Sequence, residues 1–213
     1  MPHILVLLAH PDLSRSRANH RLAQAALHVD AQRGTSVTVR DLARLYPDFD
    51  IDVATEQAHA ERADLIVWQH PIHWYGMPAL MKLWLDEVLT LGWAYGPGGT
   101  ALRGKDLWLV VSTGGPQAAY RPDGYNRYFF DAFLPPYEQT AALCGMRLLP
   151  PLVLHGAHAV SDEALRAHAA VYAERLSTYP AWPEMAELPE CPGCDVPAVD
   201  RPAAAEPATR SSA

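Results

Sequence analysis

The feature that most constrains the fold of this chain is a continuous apolar run close to its start, at residues 4–9. A run without polar alternation is typical of a strand that is buried on both faces, as in a parallel sheet. Four further strand candidates follow at residues 36–40, 64–68, 107–111 and 146–154. Helical patterns occur at residues 18–33, 52–62, 78–91 and 129–144, and a last helix is predicted to follow a cap at Ser161.

This alternation predicts an α/β domain with a doubly wound, five-stranded parallel sheet and helices on both faces, because parallel neighbours need crossover helices. The composition changes at Pro180, after which 34 residues contain seven prolines, eight alanines and six acidic side chains. Such a segment buries too little apolar surface to offset the entropy of ordering it. The sequence therefore predicts a folded domain at residues 1–179 and a flexible, acidic, Pro/Ala-rich tail at residues 180–213.

The charge balance excludes one class of function. The chain has 17 Lys+Arg against 24 Asp+Glu and a formal net charge of −7, whereas sequence-independent nucleic-acid binding needs a surplus of basic side chains. No apolar run approaches the roughly 20 residues that cross a bilayer, and residues 4–9 lack the basic leader of a signal peptide. We therefore expect a cytoplasmic protein.

The cysteines are Cys144, Cys191 and Cys194, an odd and sparse set that makes no disulfide framework. Cys191 and Cys194 have the spacing of a redox or metal motif, but they lie in the predicted tail and supply only two of the four ligands of a structural zinc. We interpret this pair as incidental.

Ligands of open parallel sheets bind at the carboxyl ends of the strands, and three segments at such ends are unusual. Residues 10–19 form a polar turn that opens a helix, where free N–H groups suit a phosphate, although Ser14 or Ser16 is also suited to a simple helix cap. Residues 70–78 hold aromatic and proline residues that suit either the wall of a planar ligand or an apolar plug. Residues 112–116 contain two glycines that permit close approach to a ligand, although most such pairs are plain turns.

Taken together, these segments suggest a mononucleotide site. Neither a Walker lysine motif nor Gly-x-Gly-x-x-Gly follows the first strand, which disfavours ATPases and dinucleotide-fingerprint proteins. His155 and His158 flank Gly156 in a loop without nearby acids, and we interpret them as ordinary surface or core histidines.

The chain resembles the flavodoxin-like NAD(P)H:quinone oxidoreductases, and most closely the ancillary proteins of bacterial glutathione-gated potassium-efflux systems. The resemblance covers about residues 3–178 and depends on the motifs at residues 9–19, 45–52, 64–75, 78–86, 92–102 and 113–115. It implies FMN as cofactor, with FAD less expected. The residues implied to hold the FMN phosphate are His10, Ser16, Arg17, Ala18 and Asn19, and those implied to border the isoalloxazine are Ile72, His73, Trp74, Tyr75, Ser112, Thr113, Gly114 and Gly115.

The resemblance also implies an activity, in which NAD(P)H passes a hydride to the flavin and a quinone or similar electrophile then takes it from the same pocket. Tyr120 matches a family tyrosine beside the flavin and is the candidate catalytic residue, whereas a second family position, a histidine, has no counterpart near residues 124–126. Family members are commonly homodimers. No metal ligand is assigned.

Two other classes of function remain open. The chain could be a regulatory subunit that binds and activates a glutathione-gated potassium-efflux transporter, and would then lie peripherally at the inner membrane. A remote alternative is a metal-dependent hydrolase, because residues 9–12 match the start of a zinc deacetylase motif. That motif needs further acidic ligands where this chain has Leu13 and Ser14.

Overall fold

The computed structural model describes residues 1–30 and 35–188. Five parallel strands form one sheet in the order β2-β1-β3-β4-β5. Their bounds are β1 His3–Leu8, β2 Ser36–Asp41, β3 Leu65–Pro71, β4 Asp106–Ser112 and β5 Arg147–Leu154. The predicted doubly wound α/β fold is confirmed.

Six α-helices accompany the sheet in the described part of the chain. They are α1 Arg17–Asp30, α2 Leu42–Leu45, α3 Val53–Arg62, α4 Ala79–Val88, α5 Pro135–Leu143 and α6 Asp162–Thr178. Short 3-10 turns occur at Leu13–Arg15, Gln117–Ala119, Phe130–Phe133 and Pro183–Ala186. Within residues 1–30 and 35–188, no helix has the length and apolarity needed to cross a membrane.

Alternate side chains of β1 enter two separate cores. Leu5 and Leu7 belong to the core shared with α3, α4 and α5, whereas Ile4 and Val6 belong to the core shared with α1 and α6. This arrangement explains the continuous apolar run, because successive side chains of a strand point to opposite faces and both faces are covered by helices.

Two predicted helices are shorter than the sequence pattern suggested, and the one predicted at residues 78–91 ends at Val88. The pattern at residues 129–144 predicted a single helix, but the structure has a 3-10 turn at Phe130–Phe133 and an α-helix that starts only at Pro135. Pro135 and Pro136 lack N–H donors, so they are compatible with a first helical turn and incompatible with a helix interior.

Packing continues beyond the predicted domain boundary at residue 179. Trp182 is 4% exposed, and its ring lies 4.9 Å from that of Trp108 and 6.0 Å from that of Tyr179. The division into a domain and a tail stays a prediction, and Cys191 and Cys194 lie outside the described residues.

Candidate functional site

A cavity of about 550 Å³ lies at the carboxyl ends of β1, β3 and β4. Ten of the thirteen residues predicted to hold the cofactor line it: His10, Ser16, Arg17, Ala18, Asn19, Ile72, His73, Ser112, Thr113 and Gly114. The strand order brings them together, because β1, β3 and β4 are consecutive neighbours in the sheet although they are far apart in sequence.

The first turn of α1 forms one end of this cavity. Ser16 Oγ accepts a hydrogen bond of 3.1 Å from Asn19 N, so the capping role considered for Ser16 is present. The cap uses only a lone pair of Ser16, and the hydroxyl hydrogen remains available to a ligand. Arg17 is held beside this turn by hydrogen bonds to Val160 O at 3.0 Å and Asp162 Oδ1 at 2.8 Å. The first-turn N–H groups favour an anion here, beside an Arg17 guanidinium whose charge is shared with Asp162.

Asn19 lines the cavity and carries a buried polar atom without a partner. The residue is 1% exposed, its Nδ2 donates to Ser112 Oγ at 3.2 Å, and its carbonyl oxygen accepts from Gln69 Nε2 at 3.0 Å. Its Oδ1 has no hydrogen-bond partner within the described residues. An unpaired buried acceptor is costly, so this position suits a ligand that offers a hydroxyl or N–H donor.

Two imidazoles lie in the wall between the β1 and β3 ends. His10 Nδ1 accepts from Asp12 N at 3.1 Å, which assigns the proton of the neutral ring to Nε2. Burial, followed by the neighbouring His73, lowers the pKa of His10 below its ordinary value. The two ring centroids are 6.5 Å apart. His10 is therefore a neutral donor toward the cavity at pH 7.

The glycine turn after β4 forms another wall. Thr113 Oγ1 donates to Gly115 O at 2.8 Å and so closes the turn. A Cβ on residue 115 would lie 2.5 Å from the Tyr125 hydroxyl, and one on residue 114 would lie 3.4 Å from the His158 ring. Glycine at residue 115 therefore lets Tyr125 close over the turn, and glycine at residue 114 keeps this wall thin.

Trp74, Tyr75 and Gly115 are the three predicted cofactor residues that do not line the cavity in the described part of the chain. Trp74 is 93% exposed, and both Trp74 and Tyr75 have positive φ values, 49° and 65°. Tyr75 stacks on Phe133 with ring centroids 5.2 Å apart. A left-handed backbone at two aromatic residues is strained, and it turns both side chains to the outer rim of the site.

Tyr120 lies behind the glycine turn and, in the described part of the chain, is not part of the cavity wall. It is 7% exposed, and its ring lies 5.3 Å from that of His155. Burial raises the pKa of Tyr120 and a hydrogen bond with Thr113 lowers it, with a net increase. Tyr120 therefore keeps its proton at pH 7, and its hydrogen bond with Thr113 connects it to a residue of the cavity wall.

Several lining residues were not predicted from the sequence: Pro11, Asp12, Arg15, Pro71, Ala157 and His158. Most of them extend segments that were already assigned. Ala157 and His158 are different, because they come from the loop after β5, a fourth strand end, and the interpretation of His158 as an ordinary surface or core histidine did not anticipate its place in the cavity wall. The signal was the position of Gly156 and its flanking histidines immediately after a strand.

The remote metal-hydrolase alternative needs a set of metal ligands. Among residues 1–30 and 35–188, no group of three or more His, Cys, Asp or Glu side chains is placed to hold a metal ion.

The fold and the position of the cavity define a flavodoxin-like domain, a doubly wound sheet with its ligand cavity at the switch in strand order. The chain belongs to the family described as having a flavodoxin-like fold, whose model matches residues 2–176.

Similar proteins and solved structures support this assignment. The chain is 46% identical over 181 residues to the glutathione-regulated potassium-efflux system ancillary protein KefF of Citrobacter koseri, covering 85% of this chain and 97% of the relative. The general stress protein 14 of Treponema denticola, solved in complex with FMN, is 39% identical with a TM-score of 0.76, covering 83% of this chain and 99% of that one. An NADPH-quinone reductase from P. pentosaceus is 27% identical with a TM-score of 0.70, covering 83% and 98%.

Proposed function

We propose that the cavity binds FMN and that the protein is an NAD(P)H dehydrogenase that reduces a quinone or similar electrophile. The observation that carries the proposal is the pairing of an anion-binding first turn with the unpaired Oδ1 of Asn19. A phosphate fits the first requirement, and a hydroxyl of the ribityl chain fits the second. The relative solved with FMN supports this choice of ligand.

The residues present fit FMN along its length. The first turn of α1, with Ser16 and Arg17, would hold the phosphate, and His10 would donate to it or to the ribityl chain. Ile72 and the Ser112–Gly115 segment would border the ring. FAD is the less favoured cofactor, because its second phosphate and adenosine would have to lie outside this group of residues.

FMN supplies the hydride chemistry when bound, because its ring accepts two electrons from NAD(P)H and donates them to a second substrate. The protein orients the ring and stabilises charge. We assign to the N–H groups of Gly114 and Gly115 the stabilisation of negative charge on the reduced ring. Tyr120, protonated at pH 7 and hydrogen-bonded to Thr113, is the candidate source of a proton at the cavity wall.

Titration and anaerobic kinetics test this function. Purified protein should bind FMN, the bound FMN should be reduced by NADH or NADPH, and a panel of quinones should then reoxidise it. Arg17→Gln should weaken FMN binding about tenfold and leave riboflavin binding unchanged, since a charge-assisted contact to phosphate is lost. Arg21→Gln, one turn further along α1, is the matched control. Protein that takes up no FMN refutes the proposal.

A second candidate function is regulatory, and the relatives named as potassium-efflux ancillary proteins favour it. In that function the chain would be cytoplasmic, bound peripherally to a transporter at the inner membrane. Potassium efflux from cells that express the transporter, with and without this protein, tests the activation. Efflux that is activated equally by wild type and by Arg17→Gln would show that regulation does not need the FMN site. Reduced FMN that no quinone reoxidises would favour the regulatory function alone.

We also propose that the protein is a homodimer that associates through the aromatic rim of the site. Trp74, Tyr125, Tyr128 and Phe129 are 93%, 71%, 62% and 59% exposed. Exposed aromatic clusters of this kind are typical of interfaces. Light scattering after size-exclusion chromatography measures the mass directly, and Trp74→Ser with Phe129→Ser should shift the protein to the monomer. A monomeric wild type refutes this part of the proposal.

A further inference from the structure

The loop that follows β5, residues 154–158, is fastened to the glycine turn. Three backbone hydrogen bonds of 2.9 Å join the two segments, donated by the N–H groups of Thr113, Gly156 and Ala157. The side chains are joined as well, because His155 Nδ1 lies 3.1 Å from Thr113 Oγ1. Thr113 Oγ1 already donates to a carbonyl, so this contact makes His155 the donor. The loop after β5 is therefore held in a defined position against the cavity wall.

Ala157 and His158 of this loop line the cavity, and His158 is the one of the two with a polar side chain. Its Cδ2 and Nε2 atoms both lie 3.4 Å from the position that a Cβ on residue 114 would occupy. The imidazole thus covers the outer side of Gly114. No hydrogen bond or ion pair occupies the His158 side chain among the described residues, so its ring nitrogens are free to bind a ligand.

The charge around His158 favours a negative ligand group. The cavity is lined by Arg15 and by Arg17, whose Nη2 is paired with Asp162, and Asp12 is the one acidic residue among its lining residues in the described chain. The Asp12 carboxylate is already occupied, because Oδ1 accepts from Ser14 N at 3.1 Å and Ser14 Oγ at 2.6 Å. A negative charge that develops near Gly114 would meet no opposing carboxylate in the described wall.

We propose that His158 binds the edge of the flavin ring that becomes negative on reduction, and so makes the site prefer reduced over oxidised FMN. This inference rests on the proposed FMN function. The ring, and not the phosphate, is the assigned contact because His158 lies against Gly114, whereas the phosphate is assigned to the first turn of α1. His158 supplements the peptide N–H groups of the turn with a side-chain donor.

The test compares the affinities of two flavins in two redox states. FMN and riboflavin, oxidised and chemically reduced, are titrated anaerobically against wild type, His158→Gln and His158→Leu. His28→Gln, an exposed histidine on α1, is the matched control. Thermal unfolding of the flavin-free proteins establishes that each variant is folded, and His158→Gln retains a polar side chain of similar size should the leucine variant not fold.

We expect His158→Leu to lower the preference for reduced over oxidised FMN about tenfold, with a smaller loss in His158→Gln and none in His28→Gln. A tenfold change corresponds to a midpoint potential about 30 mV more negative for a two-electron couple. Riboflavin should show the same change, since the contact is to the ring.

An unchanged preference in both His158 variants overturns the inference while leaving FMN binding intact. A loss confined to FMN and absent with riboflavin would also overturn it, because the contact would then be to the phosphate. A wild type that binds neither flavin removes the proposed function and this inference together.

Discussion

Glu56 is the most completely buried acidic residue of the described chain, with an exposed fraction of 0%, and the fold is expected to depend on its charge. Its Oε1 accepts from Arg40 Nε at 2.7 Å and from the Tyr46 hydroxyl at 2.6 Å. Its Oε2 accepts from Trp84 Nε1 at 2.8 Å. These contacts connect β2, the segment after α2, α3 and α4, so one carboxylate joins four parts of the chain.

Glu56→Gln keeps the shape of the side chain and removes its charge. The amide of glutamine accepts hydrogen bonds only at its oxygen and donates from its NH₂ group. The NH₂ group would therefore face another donor, either Trp84 Nε1 or the Arg40 and Tyr46 groups. The Arg40 side chain is 13% exposed and would lose its counter-ion. Breaking a buried ion pair from one side costs roughly 3 to 5 kcal/mol, and the partial access of Arg40 to water places this variant near about 3 kcal/mol. At roughly 2 to 4 °C per kcal/mol for a chain of this size, the unfolding midpoint should fall by roughly 6 to 12 °C.

Urea unfolding, followed by circular dichroism, measures this loss for wild type, Glu56→Gln, Arg40→Met and the double variant. The double variant should be more stable than the sum of the single losses predicts, by about 1.5 kcal/mol, because it leaves no unpaired guanidinium. A loss below about 1 kcal/mol in Glu56→Gln, or strict additivity in the cycle, would refute the reasoning.

The remaining predictions concern the site and its pH dependence. Tyr120→Phe removes the hydroxyl that forms a hydrogen bond with Thr113, so quinone should reoxidise the bound FMN more slowly while the affinity for FMN stays constant. Stopped-flow absorbance measures the rate of reoxidation. An unchanged rate excludes Tyr120 from proton supply. Ser112→Ala leaves the buried Asn19 Nδ2 without its acceptor, so the affinity for FMN should fall about fivefold in a fluorescence titration. An affinity equal to that of wild type would contradict the assignment of Asn19 and Ser112 to the wall of the FMN site. Burial lowers the pKa of His70 from 6.5 to about 4, so the unfolded state binds more protons between these values and stability falls as the pH falls through them. From pH 7 to pH 5 wild type should lose about 2 kcal/mol more than His70→Gln in urea unfolding, and equal losses would contradict a neutral buried His70.

Local patterns in the sequence predicted the elements of this fold well where burial and chain geometry agree. The apolar run of β1 and the capped start of α6 are such cases, because Ser161 Oγ accepts from Ala164 N at 3.1 Å as a cap should. The helix predicted at residues 129–144 was wrong at its beginning. Hydrophobic residues around Phe130 suggested helical periodicity, whereas Pro135 and Pro136 permitted a helix only from their own position onward.

The sequence by itself determined that the chain alternates strands with helices, and it marked three of the strand ends as candidate ligand segments. Each of those properties depends on residues close together along the chain. Tertiary structure alone decided that Asn19 would lose a partner for Oδ1, that Tyr120 would lie behind Thr113, and that His158 would cover Gly114. The surroundings of Asn19 and His158 join residues far apart along the chain, 93 positions in the bond from Asn19 to Ser112, and the pairing of parallel strands that creates them leaves no local pattern in the sequence.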